Sequence, residues 1–199
     1  MKKIIFDLDG TLYDDNEVRK IREEAILKKV GDNLEKYKEY KKIHSTTKSL
    51  ELIGISRSEF YELLINTKIT LQKDEKLISL LKNLKNEYEL IILSNSPKEC
   101  VLDILTQLEI TEFFSRIFSG NDFQNPKPSI EAFQIVSKGD ICIGNTFKKD
   151  LMIPKEIGAI TILVSEENNN YPADYIIQKI HDLLEIIEKI KSNPQQNLK

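Results

Sequence analysis

Short, unbroken apolar runs alternate along this chain with stretches whose apolar residues recur at helical spacing. The runs are Lys3-Ile4-Ile5-Phe6, Leu90-Ile91-Ile92-Leu93, Ile141-Cys142-Ile143 and Ile160-Thr161-Ile162-Leu163-Val164, with Arg116-Ile117-Phe118-Ser119 a weaker fifth. A strand with one wet face would alternate apolar and polar residues. Continuous runs instead suit parallel strands covered on both faces. Between them, Leu77, Leu80, Leu81 and Leu84 mark one amphipathic helix, and Val101, Leu102, Leu105 and Leu108 a second. Ile180, Leu183, Leu184, Ile187 and Ile190 mark a closing one. Strands alternating with helices predict an α/β fold, a three-layer, doubly wound parallel sheet with right-handed crossovers.

One segment breaks this rhythm. After the first strand, residues 15–73 contain no strand pattern, and Val18 to Val30, Leu34 to Ile43 and Glu59 to Ile65 read as helices. That is too long for a simple crossover, so an inserted α-helical cap over one end of the sheet is expected. The catalytic core then comprises residues 1–14 and 74–191. Residues 192–199, polar with a proline and two glutamines, are expected to be a disordered tail. Asn168-Asn169-Asn170-Tyr171-Pro172 reads as a surface loop.

Composition narrows the classes. With 40% hydrophobic and 31% charged residues, a chain of 199 residues can bury a core. A formal net charge of −3 gives no reason to expect nucleic acid or an anionic membrane as partner. Charge is uneven, however: Asn16 to Lys48 holds ten Lys or Arg against six Asp or Glu, which reads as a set of solvated helix faces or, alternatively, as a mildly positive lid that attracts anions. Cys100 and Cys142, both in apolar runs, read as buried thiols of a cytoplasmic protein. Asp7 and Asp9 cut the first apolar run far short of a signal peptide. No apolar stretch reaches membrane-spanning length. A monomer or homodimer is expected.

Candidate chemistry sits where strands end. Asp7-Leu8-Asp9-Gly10-Thr11 follows the first run, Ser94-Asn95-Ser96 the second, and Gly144-Asn145-Thr146 the Cys142 run, with Asp150 shortly after. Any one cluster alone reads as turn residues. Together they deliver carboxylates, hydroxyls and amides to the sheet edge where ligands bind in open α/β folds. Asp7, directly after the strand, is the better placed nucleophile for an acyl-phosphate route. Asp9, two residues on, can protonate a leaving alkoxide and later activate water. Gly10 permits a tight backbone beside phosphate, and Thr11 adds a hydroxyl. A magnesium ion would relieve repulsion between carboxylate and phosphate, with oxygens from Asp7, Asp150 and the Asp9 carbonyl. Lys127, between Pro126 and Pro128, would complete the neutralisation.

These residues resemble the four ordered motifs of the haloacid dehalogenase superfamily: Asp7 to Thr11, Ser94-Asn95, Lys127 before Pro128, and Gly144-Asn145 with Asp150. The match spans residues 4 to about 164. It implies a Rossmann-like core, Asp7 as nucleophile, Asp9 as acid/base, Lys127 as charge-balancing lysine and Mg2+ as cofactor. It also implies Ser94 as phosphate-binding hydroxyl, with Asn95 beside it, and Asp150 in the metal motif. That motif usually begins Gly-Asp, so Asn145 would be an uncharged metal ligand, and weaker metal binding is expected. Dehalogenase members lack the second Asp, so Asp9 favours phosphate esters over halides. In the cap, Thr46-Thr47 and Leu50, with Tyr13-Asp14, are similar to nucleotidase-type members. The implied function is hydrolysis of a small phosphorylated metabolite, with nucleoside monophosphates placed ahead of phosphoglycolate and sugar phosphates. A phosphomutase of the same fold and a low-activity phosphate-binding module are the alternatives. His44 and His181 read as surface residues.

Overall fold

β1 (Lys3–Phe6) is hydrogen-bonded on both sides, to β2 (Glu89–Leu93) and to β4 (Ile141–Gly144). β3 (Arg116–Phe118) extends the sheet beyond β2, and β5 (Ile160–Val164) and β6 (Tyr175–Ile177) extend it beyond β4. The computed structural model describes residues 2–166 and 171–192. Within them the order is β3-β2-β1-β4-β5-β6, every pair parallel. The chain thus winds outward from β1 to β3, returns to β4 at the centre, and winds outward again. The reversal lies between β1 and β4, the crevice where ligands bind in doubly wound sheets.

Burial explains the continuous apolar runs. All residues of β4 and β5, and all of β2 but its first, are buried. One core cluster includes Ile5, Ile91, Leu93, Phe133, Cys142, Leu151 and Leu163. Phe6, from the alternate set of β1 positions, packs edge-on against Phe114. The expected leucines of α5 (Glu75–Lys85), Leu77, Leu80, Leu81 and Leu84, are all buried, and of the apolar residues expected in α6 (Lys98–Gln107) Val101 and Leu105 are buried while Leu102 is exposed. Each fully buried Leu or Ile contributes about 1.5–3 kcal/mol.

Polar ties fix the strand ends. Asp140 accepts hydrogen bonds from the backbone N–H groups of Lys3 and Ser137 and pairs with the Lys3 ammonium at 3.0 Å. Asp174 does the same at the entrance to β6, accepting from the Thr161 N–H at 2.9 Å, its hydroxyl at 2.6 Å and the Lys155 ammonium at 2.6 Å.

The described residues divide into two compact units: the chain up to Asp14 and from Leu71 onward, and Asp15–Thr70. The second unit is helical, with α1 (Asn16–Val30), α2 (Leu34–Lys41), α3 (Thr46–Leu52) and α4 (Arg57–Asn66). Ser56 and Glu59 form a reciprocal capping box at the start of α4, and Lys29 of α1 reaches Glu59 at 3.5 Å.

Some elements were not visible in the apolar pattern. β6 has only three residues and sits at the sheet edge. α3 occupies the Thr46-Thr47 segment, its N-terminus capped by Ser45. α7 (Met152–Ile157) is short, and Gly158 ends it with a left-handed φ of 88°. The closing helix α8 (Leu183–Ser192) starts later than its apolar spacing suggests, after a 3-10 turn over Ile180–Asp182. His181, expected to be an idle surface residue, pairs with Asp74 at 2.7 Å. Residues 168–170 of the expected loop and 193–199 of the expected tail lie outside the described residues. None of the helices in the described residues is long and apolar enough to cross a membrane.

Candidate active site

The polar clusters meet at the carboxyl ends of β1, β2 and β4. Asp7 continues β1, its N–H donating to the Ile143 carbonyl at 2.8 Å. The chain then turns at once: the N–H groups of Thr11 and Leu12 both donate to the Leu8 carbonyl. Gly10 takes a φ of 73° in this turn, a conformation costly for residues with a Cβ. The turn carries the Thr11 hydroxyl back to Asp7, to which it donates at 3.3 Å.

Lys127 lies 120 residues from Asp7 in sequence, yet its ammonium donates to Asp7 Oδ1 at 2.7 Å. It donates equally closely, at 2.7 Å, to Asp150 Oδ1. All three side chains are only 2% exposed, so this is a buried carboxylate–ammonium–carboxylate bridge rather than a surface ion pair. Asn95 holds the lysine's backbone from both sides. Its amide Nδ2 donates to the Lys127 carbonyl at 2.7 Å, and its Oδ1 accepts the Lys127 N–H at 2.9 Å. Asn95, expected among the substrate-binding residues, is thus engaged with the Lys127 peptide.

Asp150 arrives on a π-helical turn, Phe147–Leu151. Such turns re-aim a side chain by adding a residue to the helical repeat. The Asp150 N–H donates to the Thr146 carbonyl at 2.8 Å, and the Thr146 N–H returns to Asp150 Oδ2 at 3.0 Å. Asp150 packs directly over Gly144, where a Cβ would fall 2.4 Å from its own.

Charge is unevenly shared across the bridge. Burial works to raise the Asp7 carboxyl, but the Lys127 and Lys149 ammonium groups and hydrogen bonds from Lys127 and the Leu8 N–H hold it below the ordinary range. Burial raises Asp150 too, and repulsion from Asp7 adds to it, so Asp150 stands above its ordinary value despite the same lysines. Burial alone would lower Lys127, but Asp150 and Asp7 push it well above the usual lysine value. The result is a dry ammonium beside an ionised carboxylate. Lys149, which the sequence reading did not single out, stands 3.9 Å from Asp150 and is one-third exposed. It immediately precedes Asp150 on the π turn, so adjacency to that candidate was the signal that could have found it.

A small cavity beside the bridge is lined by Asp7, Lys127 and Asp150 together with Leu93, Phe133 and Cys142. Burial keeps the Cys142 thiol strongly protonated. It is therefore an apolar wall and not a nucleophile.

The remaining expected residues are close by along the chain but engaged elsewhere. The Asp9 carboxyl accepts from the Tyr13 hydroxyl at 2.6 Å and from the Ser96 hydroxyl at 2.7 Å. Ser94 is buried, and its hydroxyl oxygen accepts the Ser96 N–H at 3.1 Å. Asn145 Oδ1 accepts from the Thr146 hydroxyl at 3.2 Å. Tyr13 and Ser96 were not among the expected site residues, although Ser96 belongs to the strand-end polar cluster.

The donor set can be tested against a metal ion. Among the described residues, no three His, Cys, Asp or Glu side chains gather to hold one. Magnesium does not require that, because it commonly takes one or two carboxylates and keeps several waters. Asp7 and Asp150 are two buried carboxylates converging on one ammonium. When both are ionised the bridge is short of one positive charge, and repulsion from Asp7 already acts on Asp150. A hard divalent cation fits that deficit; the Asp9 carbonyl and Asn145 are the uncharged donors that the sequence leads one to expect, and Asn145 Oδ1 is here engaged by the Thr146 hydroxyl.

Comparison with known proteins bears on the family and the fold. The family model for haloacid dehalogenase-like hydrolases matches residues 4–140. A phosphoglycolate phosphatase from Vibrio cholerae is 26% identical over 229 residues, covering 94% of this chain and 97% of the relative. A β-phosphoglucomutase from Clostridium difficile has the same fold, with a TM-score of 0.69 at 20% identity over 98% of each chain. So does the HAD-hydrolase YfnB from Bacillus subtilis, whose structure is bound to magnesium, with a TM-score of 0.66 at 18% identity over 94% of this chain and 98% of that one.

Proposed function

The chain belongs to the haloacid dehalogenase-like hydrolase family, and on that footing we propose that it is a magnesium-dependent phosphatase of small phosphate monoesters that works through an aspartyl-phosphate on Asp7. The observation that carries this reading is the buried bridge in which Lys127 joins Asp7 to Asp150 at the carboxyl edge of the sheet.

In the first step an Asp7 carboxylate oxygen attacks phosphorus and the bond to the ester oxygen breaks. Asp9, as the acid, gives its proton to the departing alkoxide. In the second step water attacks the phosphorus of the Asp7 acyl phosphate and yields a proton to Asp9. The Asp7–phosphorus bond breaks, phosphate leaves, and both carboxyls return to their starting states. Lys127 stays protonated throughout, so it offsets phosphate charge without exchanging a proton. Thr11 steadies Asp7, Asn95 fixes Lys127, and Ser94 is available to donate to a phosphate oxygen. Magnesium, held by Asp7, Asp150, the Asp9 carbonyl and Asn145, would supply charge neutralisation for the incoming phosphate.

The relative from Vibrio cholerae supports a short phosphorylated acid such as phosphoglycolate, now ahead of nucleoside monophosphates. Buried free thiols, Cys100 and Cys142, support a cytoplasmic setting. The test is hydrolysis of p-nitrophenyl phosphate with and without magnesium, on the native protein and on Asp7→Asn. We expect magnesium-dependent release of p-nitrophenol from the native protein and none from the variant. Turnover surviving in Asp7→Asn would sink the nucleophile assignment.

A further inference from the structure

We propose that Tyr13 and Ser96 are positioning residues that aim the Asp9 carboxyl, a role that rests on the reading of Asp9 as the acid and base. The two hydroxyls grip different oxygens of one carboxyl: Tyr13 donates to Oδ1 at 2.6 Å and Ser96 to Oδ2 at 2.7 Å. A carboxyl held at both oxygens cannot rotate about its Cβ–Cγ bond without breaking both hydrogen bonds.

Each hydroxyl is itself held in place. The Tyr13 backbone bridges back to Asp9 across the turn at Gly10, which returns the half-buried ring over the carboxyl. Ser96 comes from the far side of the site, 87 residues away in sequence. Its N–H donates to Ser94 Oγ at 3.1 Å and its carbonyl accepts the Gly120 N–H at 2.9 Å. Two independently anchored donors therefore converge on one carboxyl.

The arrangement suits a group that must act twice. When Asp9 carries the proton on one oxygen and donates it to the leaving group, the hydroxyl on the other oxygen still sets its direction. When Asp9 is ionised and must receive a proton from water, both hydroxyls can bind it. Misplacement of a catalytic group by about 1 Å costs up to about a hundredfold in rate. The bland alternative is that these hydrogen bonds only satisfy a polar side chain and stiffen a loop.

The two readings separate on leaving-group dependence. Phenyl phosphate expels a poor leaving group that needs Asp9's proton, while p-nitrophenyl phosphate expels a good one that needs it less. We measure kcat/KM for both esters on the native protein, Tyr13→Phe, Ser96→Ala and Asp9→Asn, and on Tyr13→Phe within Asp9→Asn. Thermal unfolding confirms that each variant is folded. Tyr13→Phe and Ser96→Ala should each lose about tenfold on phenyl phosphate and several-fold less on p-nitrophenyl phosphate. Tyr13→Phe should cost nothing further once Asp9 is Asn, because the group it aims no longer carries a proton. Equal losses on the two esters, no losses, or an undiminished cost in the Asp9→Asn background would each overturn the proposal while leaving the phosphatase reading intact. A native protein that hydrolyses neither ester overturns both.

Discussion

Gly144 and Asp150 are so closely packed that a Cβ on Gly144 would lie 2.4 Å from the Asp150 Cβ and 2.9 Å from its Cγ. The glycine at the end of β4 is therefore the space in which Asp150 turns toward Lys127. Gly144→Ala should force Asp150 away and cost about 1–3 kcal/mol of stability through overpacking. With Asp150 displaced, turnover of p-nitrophenyl phosphate should fall by about a hundredfold. A Gly144→Ala protein with native Tm and native rate would refute this.

Removing the bridging cation should be the most damaging single change. Lys127→Met leaves two buried carboxylates facing each other, and loss of one partner from a buried pair costs about 3–5 kcal/mol. Urea unfolding in the absence of magnesium measures this directly. Adding Asp7→Asn to Lys127→Met should restore part of the loss, because it removes one of the stranded charges. If the double variant is less stable than Lys127→Met, charge repulsion is not the cause.

Asn95 grips the Lys127 peptide at 2.7 and 2.9 Å and should matter for rate through that lysine. Asn95→Ala strands a half-buried N–H and carbonyl, at a cost of about 1–3 kcal/mol. Asn95→Asp keeps an acceptor for the Lys127 N–H but sets a carboxylate oxygen against the Lys127 carbonyl. Both variants should lose turnover. Rates equal to native in both would show that the clamp does not set the position of Lys127.

In the proposed metal site, Asn145 is an uncharged donor where the motif it resembles usually carries an acid. Asn145→Asp adds charge to the metal donor set and should lower the magnesium concentration for half-maximal rate by about tenfold, since ligand charge sets divalent-ion affinity. A magnesium titration of p-nitrophenyl phosphate turnover reads this, and an unchanged midpoint would refute it.

Acid sensitivity should have one identifiable structural source at the sheet edge. Burial works to raise the Asp174 carboxyl, but hydrogen bonds from Lys155 and Thr161 outweigh it and lower it below its ordinary value. A lowered folded-state value means that stability is present above the unfolded carboxyl's pKa of about 3.9 and is lost as pH falls through the folded one. Asp174→Asn should therefore lower Tm by a few degrees near pH 7, on the order of one lost hydrogen bond. The gap from native should narrow below about pH 4 as the native carboxyl protonates. A gap constant from pH 7 to pH 3 would place the effect in packing and not in charge.

Local pattern carried much of the fold. The runs at Lys3–Phe6, Leu90–Leu93, Ile141–Ile143 and Ile160–Val164 fall within β1, β2, β4 and β5, and the first three residues of the weaker Arg116–Ser119 run form β3. Hydrophobic periodicity is a property of adjacent residues, so it survives in one dimension. β6 and α7 escaped it because three or six residues give too few repeats to set a period. The π turn at Phe147–Leu151 escaped it because its one extra residue shifts the helical repeat.

The sequence by itself determined the doubly wound α/β class and the polar residues that end β1, β2 and β4. It also determined the choice of Asp, Asn, Ser, Thr and Lys on which phosphate chemistry draws. Only the tertiary structure decided how those side chains pair. The Lys127 ammonium could have faced solvent from its loop; instead it lies between Asp7, 120 residues away, and Asp150, 23 residues away. Asn95 holds a peptide 32 residues distant, and Ser96 reaches Asp9 across 87. Such pairings depend on which strand lies beside which, and β1 lies between β2 and β4 because the chain reverses its winding there. That order follows from burying β1, β2, β4 and β5 on both faces at once while β3 and β6 take the edges, a condition on the whole sheet that no local stretch of residues encodes.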